Sequence, residues 1–353
     1  MSTSSKKQPP PTTTSCVEEG GATTFSAVHP DILQAHILTR LDGPTLASAS
    51  CASSQLHALS AQDHLWTDIC HSTWPSTTTP RLRQVISTFP NGARSFFAHS
   101  FPLLLSDSTA KSPSNLNRPS ALPPPELISA VDIYYQNKLI LTKVQATETV
   151  TGWFRCSPFR IDLLDLKDVV PTPIQHPDGD DTCMALAEEM TLSWIVIDPI
   201  GRQAMNLSSH KPVSVQRHWL SGEVQVWFAS ILAGDHKGSA SEFVQCGIVV
   251  TCGGSEEGEM QVREVSLQVE DMEGMHLTGK DSLVILQRAL EGKRGRVGRR
   301  RREEEGRRRY REYLKMKRER RERKLRTEET LDILCVAFGV SILAAFWFFV
   351  LCR

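Results

Sequence analysis

At 353 residues the chain has room for about two ordinary domains, and a hydrophobic content of 40% allows at least one sizeable core. The formal net charge of zero hides an asymmetry, since residues 293–326 hold 19 basic and 6 acidic residues, a local net of +13 against −13 over the remainder. Nine cysteines, an odd number with no C-x-x-C pair, exclude a disulfide framework and a zinc site and fit a reduced, cytosolic body.

Residues 1–28 begin MSTSSKKQPPPTTT; Ser, Thr and Pro dominate and no apolar run follows, so a disordered segment without a signal peptide is expected. Residues 29–74 carry apolar side chains at helical spacing. Pro30 opens a first helix with Ile32, Leu33, Ile37, Leu38 and Leu41, in which Leu33 and Ile37, and Ile37 and Leu41, lie one turn apart. Asp42-Gly43-Pro44 breaks it, and Thr45 is expected to cap a second helix carrying Leu46, Ala49 and Cys51. A third stretch holds Leu56, Leu59, Leu65, Trp66 and Ile69. So short a module cannot bury all of this internally, and the remaining apolar surface needs another domain or a partner. Residues 75–125 read as a connecting segment that ends in a linker composition, SDSTAKSPSNLNRPSALPPP.

From residue 126 to 291 the pattern changes to short β-like runs. LISAVDIYY and LILTKV suggest a hairpin around Asn137, followed by TVTGWF and FRIDLL. A polar loop with Asp178, Asp180 and Asp181 precedes a short helix, CMALAEEM. LSWIVID, VSVQRHWL, EVQVWFASIL, EFVQCGIVVTC and MQVREVSLQVED come next, and a helix near residues 281–290 closes the domain. This spacing predicts an all-β, sandwich-like domain. Trp153, Trp194, Trp219 and Trp227 fall in the predicted strands and read as sandwich core. The acidic loop lacks EF-hand spacing, and His210 and His218 flank a strand without forming a dyad. G-x-S-x-G, P-loop, G-x-G-x-x-G and H-E-x-x-H motifs are absent, so no catalytic site, metal or cofactor is expected.

Residues 292–330 predict a long, solvated basic helix. Glu312, Glu319 and Glu322 sit among arginines at pairing distances, and Tyr310, Leu314 and Leu325 make a thin apolar stripe. In residues 331–353 the run from Ile333 to Leu351 is uncharged, and its 19 residues span about 28 Å, close to a hydrocarbon layer of ~30 Å. Gly339 is at home in a membrane helix. The basic flank precedes the span and Arg353 alone is the cation after it, so a tail anchor with a cytosolic body is expected. The endoplasmic reticulum is the favoured membrane, with a nuclear pool left open. The basic run reads as a topology-setting spacer that docks on membrane lipid; without a stacking platform or a nucleic-acid fold signature, nucleic acid is not an expected partner. Cys335 and Cys352 are open to acylation, though no motif requires it.

The 29–74 module resembles the F-box. That family's pattern is matched by Pro30, Leu33, Ile37, Leu38, Leu41, Leu46, Cys51, Leu65 and Trp66. His29, Gln34, Ser50 and Leu56 differ from the usual residue types without moving the spacing. The order F-box, β-rich domain with the runs VDIYY, WFRCSPFRIDLL and LSWIVIDP, basic segment and terminal apolar helix is similar to a family of plant F-box proteins. The fold class expected is therefore α+β: a small N-terminal helical F-box, an all-β sandwich-like domain, a long basic helix and a single transmembrane helix.

The resemblance implies a non-catalytic substrate-receptor subunit of a Skp1–cullin–F-box ubiquitin ligase. A Skp1-like protein, and through it a cullin, would be held by Pro30, Leu33, Ile37, Leu38, Leu41, Leu46, Leu56, Leu65 and Trp66, while the β domain would present an unidentified substrate protein. The alternative is a membrane-anchored β-sandwich that binds lipid, glycan or protein without a ligase role.

Overall fold

A computed structural model of the chain describes residues 28–101, 124–165, 167–175, 180–234, 239–254, 258–292, 294 and 299–353. Nearly all of the expected N-terminal disorder and linker, together with Asp178, lies outside the described residues. Two compact units divide between Ala61 and Gln62.

In the first unit, α1 (Pro30–Ile32) runs into a π turn (Leu33–Ile37) and a 3-10 turn (Leu38–Arg40), followed by α2 (Gly43–Ala49) and α3 (Ser54–Ser60). Asp42, not Thr45, caps α2: its carboxylate accepts the Thr45 backbone N–H at 2.9 Å. An Asp one residue before Gly-Pro leaves Pro44 in the first turn, where its missing N–H costs nothing. Ser53 caps α3 through the Leu56 N–H.

The second unit opens with α4 (Asp63–Thr73), then α5 (Pro80–Ser87) and α6 (Gly92–His99), the last two falling where the sequence suggests only connection. Trp66, Trp74, Phe89, Phe96, Phe97 and Phe101 form an aromatic cluster with neighbouring centroids 5.0–6.2 Å apart. Asn91 and Gly92 both adopt positive φ to reverse the chain before α6. Asp63 then accepts the Ala93 N–H at 2.9 Å, and a Cβ on Gly92 would run into that carboxylate.

Two antiparallel sheets follow, so the α+β class holds. One has the order β2-β1-β5-β6, from β1 (Glu126–Tyr135), β2 (Lys138–Glu148), β5 (Met190–Asp198) and β6 (Gln203–Asn206). The other is β3-β10-β9-β8-β7, from β3 (Arg160–Asp162), β7 (Ser214–Arg217), β8 (Val224–Ala233), β9 (Phe243–Gly254) and β10 (Glu259–Glu270); β4 (Val170–Gln175) also pairs with β10. The β1–β2 hairpin turns at Gln136-Asn137, both at positive φ as a type I′ turn demands. One apolar core joins both sheets: Val131, Trp194, Phe228, Ile248 and Leu267 belong to it, as do Leu283 and Leu286 of α9 (Gly279–Glu291). TVTGWF is not a strand. Thr151 caps a short helix, α7 (Gly152–Cys156), by accepting the Phe154 N–H, and α8 (Asp180–Glu189) precedes β5.

Two ionisable groups, one buried and one half-buried, tie these layers together. Asp132 on β1 accepts from the Ser76 N–H at 2.9 Å, the Ser76 hydroxyl at 2.6 Å and the Thr142 hydroxyl at 2.7 Å, fixing the turn before α5 to the first sheet. Arg294 donates to five carbonyls, those of His99, Ala204, Ala289, Leu290 and Gly292, joining α6, β6 and the end of α9.

The final element, α10 (Arg299–Leu351), is a single helix of 53 residues. Its basic part is not simply solvated. Tyr313 is fully buried with Ile231 and Met272, flanked by Phe243, Tyr310 and Met316, and its hydroxyl donates to the Asp271 carbonyl at 3.0 Å. Glu273 faces Arg320 and Lys324, Glu270 faces Lys317, and Arg320 donates to the Ser239 carbonyl. Part of the counter-charge for the basic block is therefore the acidic body of the same chain.

Candidate functional site

In the first unit the geometry departs from ordinary helical phase. The Leu38 N–H donates to the Leu33 carbonyl, an i→i+5 bond. A π turn of this kind brings residues five apart, rather than four, onto one face. Leu33 and Leu38 are accordingly both buried, whereas Ile32 and Ile37 are 51% and 39% exposed. The pairs anticipated one α-turn apart, Leu33 with Ile37 and Ile37 with Leu41, do not form a common face.

The nine residues anticipated at a partner surface thus divide. Leu33, Leu38 and Leu46 are buried, as are Leu65 and Trp66 on α4 of the second unit. Trp66 lies 5.5 Å from Phe97, with the Arg94 guanidinium 5.8 Å from its ring. Pro30 and Ile37 are exposed; Leu41 and Leu56 are half-buried. Sequence reasoning placed Ile32 on the helix but not at the surface, and only the i→i+5 phase would have found it. The exposed set is aliphatic and flanked by His29, Asp31 and Arg40, all outward. It can bury apolar area against a partner; it holds no nucleophile–base pair.

The tryptophans separate in a similar way. Trp194 is fully buried and donates to the Ser129 hydroxyl at 3.1 Å. Trp227 is half-buried on β8. Trp153 and Trp219 are not core: they stand 83% and 88% exposed, on α7 and in the β7–β8 turn. Burial pushes the Cys70, Cys246 and Cys252 thiols up to about 12, so they carry no thiolate at neutral pH. No group of three metal-ligating side chains occurs among the described residues.

At the chain's far end, the side chains from Ile333 to Leu351 are exposed all round. This is the one helix among the described residues long and apolar enough to cross a membrane.

Comparison with known proteins gives three relatives in Arabidopsis thaliana. A probable F-box protein is 50% identical over 317 residues, covering 89% of this chain and 90% of the relative. A second F-box protein is 43% identical over 344 residues, 94% of this chain and 97% of the relative. A third is 46% identical over 276 residues, 76% and 74% respectively. No family model and no solved structure matches the chain.

Proposed function

The chain belongs to the plant F-box protein family, and from that premise we propose that it is the membrane-tethered substrate receptor of a Skp1–cullin–F-box ubiquitin ligase. Its role is positional. The F-box module, residues 29–74, engages a Skp1-like protein and through it a cullin. The β-rich domain, residues 126–291, presents the substrate. The basic helix, residues 292–330, and the apolar helix, residues 331–353, hold both against the cytosolic face of a membrane, with the endoplasmic reticulum favoured. No chemistry on this chain is needed, because ubiquitin transfer occurs on the recruited ligase.

The observation that carries this reading is the identity to F-box proteins over most of the chain, together with an aliphatic surface in the module. Ile32 and Ile37, with Pro30 and the half-buried Leu41 and Leu56, are the side chains free to enter an interface. Leu33, Leu38 and Leu46 of the same unit are buried beneath them. Burying one Ile contributes about 1.5–3 kcal/mol, so Ile37→Lys should weaken Skp1 binding by about tenfold to a hundredfold or more. Because Ile37 is exposed, the variant keeps its fold, whereas Leu38→Lys would not. Retention of a plant Skp1-like protein by the immobilised full-length chain, compared with Ile37→Lys, tests the proposal. Equal retention by both, or by neither, overturns it.

A further inference from the structure

A seam of about 480 Å3 runs between α10 and the outer face of the second sheet. On the helix side it is bordered from Tyr310 to Leu325. Those fifteen steps cover about 22 Å at 1.5 Å per residue, the length of six or seven residues of extended chain at ~3.3 Å each. On the sheet side its floor is Trp227, which sits opposite Ser214 of β7 and Val249 of β9. The Trp227 indole N–H is shielded from water and has no acceptor among the described residues. Trp227 as a whole is half-buried, so part of its side chain remains for a partner to cover.

Charge runs along the same wall. Lys317, Arg318 and Arg321 line the seam, with Glu270 and Glu322 as the acidic residues among them. Neither carboxylate is tightly held: Lys317 stands 4.0 Å from Glu270 and Arg318 stands 3.9 Å from Glu322. Arg321 has no carboxylate within ion-pair distance among the described residues. An indole beside a loosely paired Arg318 and an Arg321 without a carboxylate combines two of the residue types that dominate binding energy in protein interfaces.

We propose that this seam is a docking site for an extended, acidic peptide segment that places an apolar or aromatic side chain on Trp227 and carboxylates on Arg318 and Arg321. Its identification as substrate rests on the receptor reading above. The length of the seam and its open side favour a peptide over a compact small molecule. A lipid headgroup fits less well: Leu325 lies eight residues, about 12 Å, before Ile333, whereas the headgroup layer adds only about 5–8 Å to each face of the hydrocarbon. An acidic segment close to the membrane in a neighbouring protein would reach the seam directly.

The test pans the full-length chain, held in phosphatidylcholine nanodiscs, against a random heptapeptide library and then titrates the fluorescein-labelled consensus peptide. An acidic consensus with one aromatic or large aliphatic residue is expected, with affinity at least tenfold lower in Arg318→Glu/Arg321→Glu. Both positions are exposed, so this variant keeps its fold and retains the Skp1-like protein as wild type does. Trp227→Phe should weaken the same peptide and remove its quenching of tryptophan emission. Failure to enrich a consensus overturns the proposal, as does equal binding of the consensus by the double variant. Charge-dependent binding of phosphatidylserine discs without any peptide binding would assign the seam to lipid, and would also overturn it. Peptide binding by a chain that fails to retain Skp1 would uphold the docking site while removing the receptor reading.

Discussion

Asp132 is the residue where the second unit's layering is concentrated. It lies with no exposed surface on β1, and three donors converge on its carboxyl group, two from Ser76 and one from Thr142. Burial raises its pKa above the ordinary carboxylate range, and the hydrogen bonds from Ser76 and Thr142 only partly offset that. Within the window between the ordinary carboxylate pKa of ~3.9 and the raised folded value, the folded state binds more protons than the unfolded one. Stability from this group therefore falls as pH rises through that window and levels off above it. Asp132→Asn keeps an acceptor for the Ser76 N–H and removes the titration. Its melting temperature relative to wild type should accordingly improve from pH 4 upward, in thermal melts of the detergent-solubilised chain. A wild-type-minus-variant difference that stays flat with pH, or runs the other way, contradicts the assignment. In the sequence Asp132 is one polar residue in LISAVDIYY; nothing within that run announces that Ser76, 56 residues upstream, is its partner.

Among the elements, the strands were the most legible. The β1–β2 hairpin around Asn137 and the paired runs that became β8, β9 and β10 carry period-two apolar patterns that survive reading without a structure. The helices α5 and α6 had signals too: Pro80 at a first turn, then Leu82, Val85 and Ile86, and later Ala93, Phe96 and Phe97, all at i, i+3, i+4 spacing and all buried. Neighbouring Ser, Thr and Pro residues masked them. The π turn was illegible, because its i→i+5 phase is indistinguishable from an α-helix with exposed isoleucines until the backbone is seen. For the candidate partner surface this means that the apolar residue types are readable in the sequence, but their division into exposed and buried members is not. Tyr313 is hidden for another reason: Tyr310, Tyr313 and Met316 recur three residues apart, but the arginines, lysines and glutamates around them make the run read as solvated. Its contacts decide how α10 behaves, however. Replacing a buried aromatic by Ala costs about 3–5 kcal/mol, so Tyr313→Ala should release the middle of α10 from β8. Hydrogen exchange would then accelerate at Ile231 and around Asp271–Glu273 while β1 and β5 keep their protection. Unchanged exchange at those positions would mean that the helix is held by its ion pairs, each of which is worth little where exposed.

At the scale of the molecule, the same helix joins the β domain to the apolar segment. Contacts from Glu303, opposite His210, to Lys324, opposite Glu273, fasten it to the β domain, and it continues unbroken to Leu351. Only residues 325–332 separate the fastened part from Ile333, about 12 Å of helix. A domain joined to a bilayer by a continuous helix is restricted in height and tilt, whereas one on a flexible linker samples a sphere set by linker length. The acidic body and the basic block, −13 and +13 in the sequence, serve that fastening, since Glu270 and Glu273 meet Lys317, Arg320 and Lys324. If the anchor restricts which targets the receptor reaches, then replacing residues 327–332 by an equal length of Gly and Ser should leave both Skp1 retention and membrane insertion intact while loosening the domain. Energy transfer from a dye at Lys138→Cys, with the exposed native cysteines replaced by Ser, to a headgroup dye in nanodiscs reports the height directly. Wild type should give one narrow distance and the Gly-Ser chain a broad one. Deleting residues 331–353 should likewise spare Skp1 retention but slow the turnover of membrane-proximal targets. Identical distance distributions for the two tethers would show that helix continuity sets no geometry. Equal turnover by the soluble form would leave the apolar helix without a role in target choice.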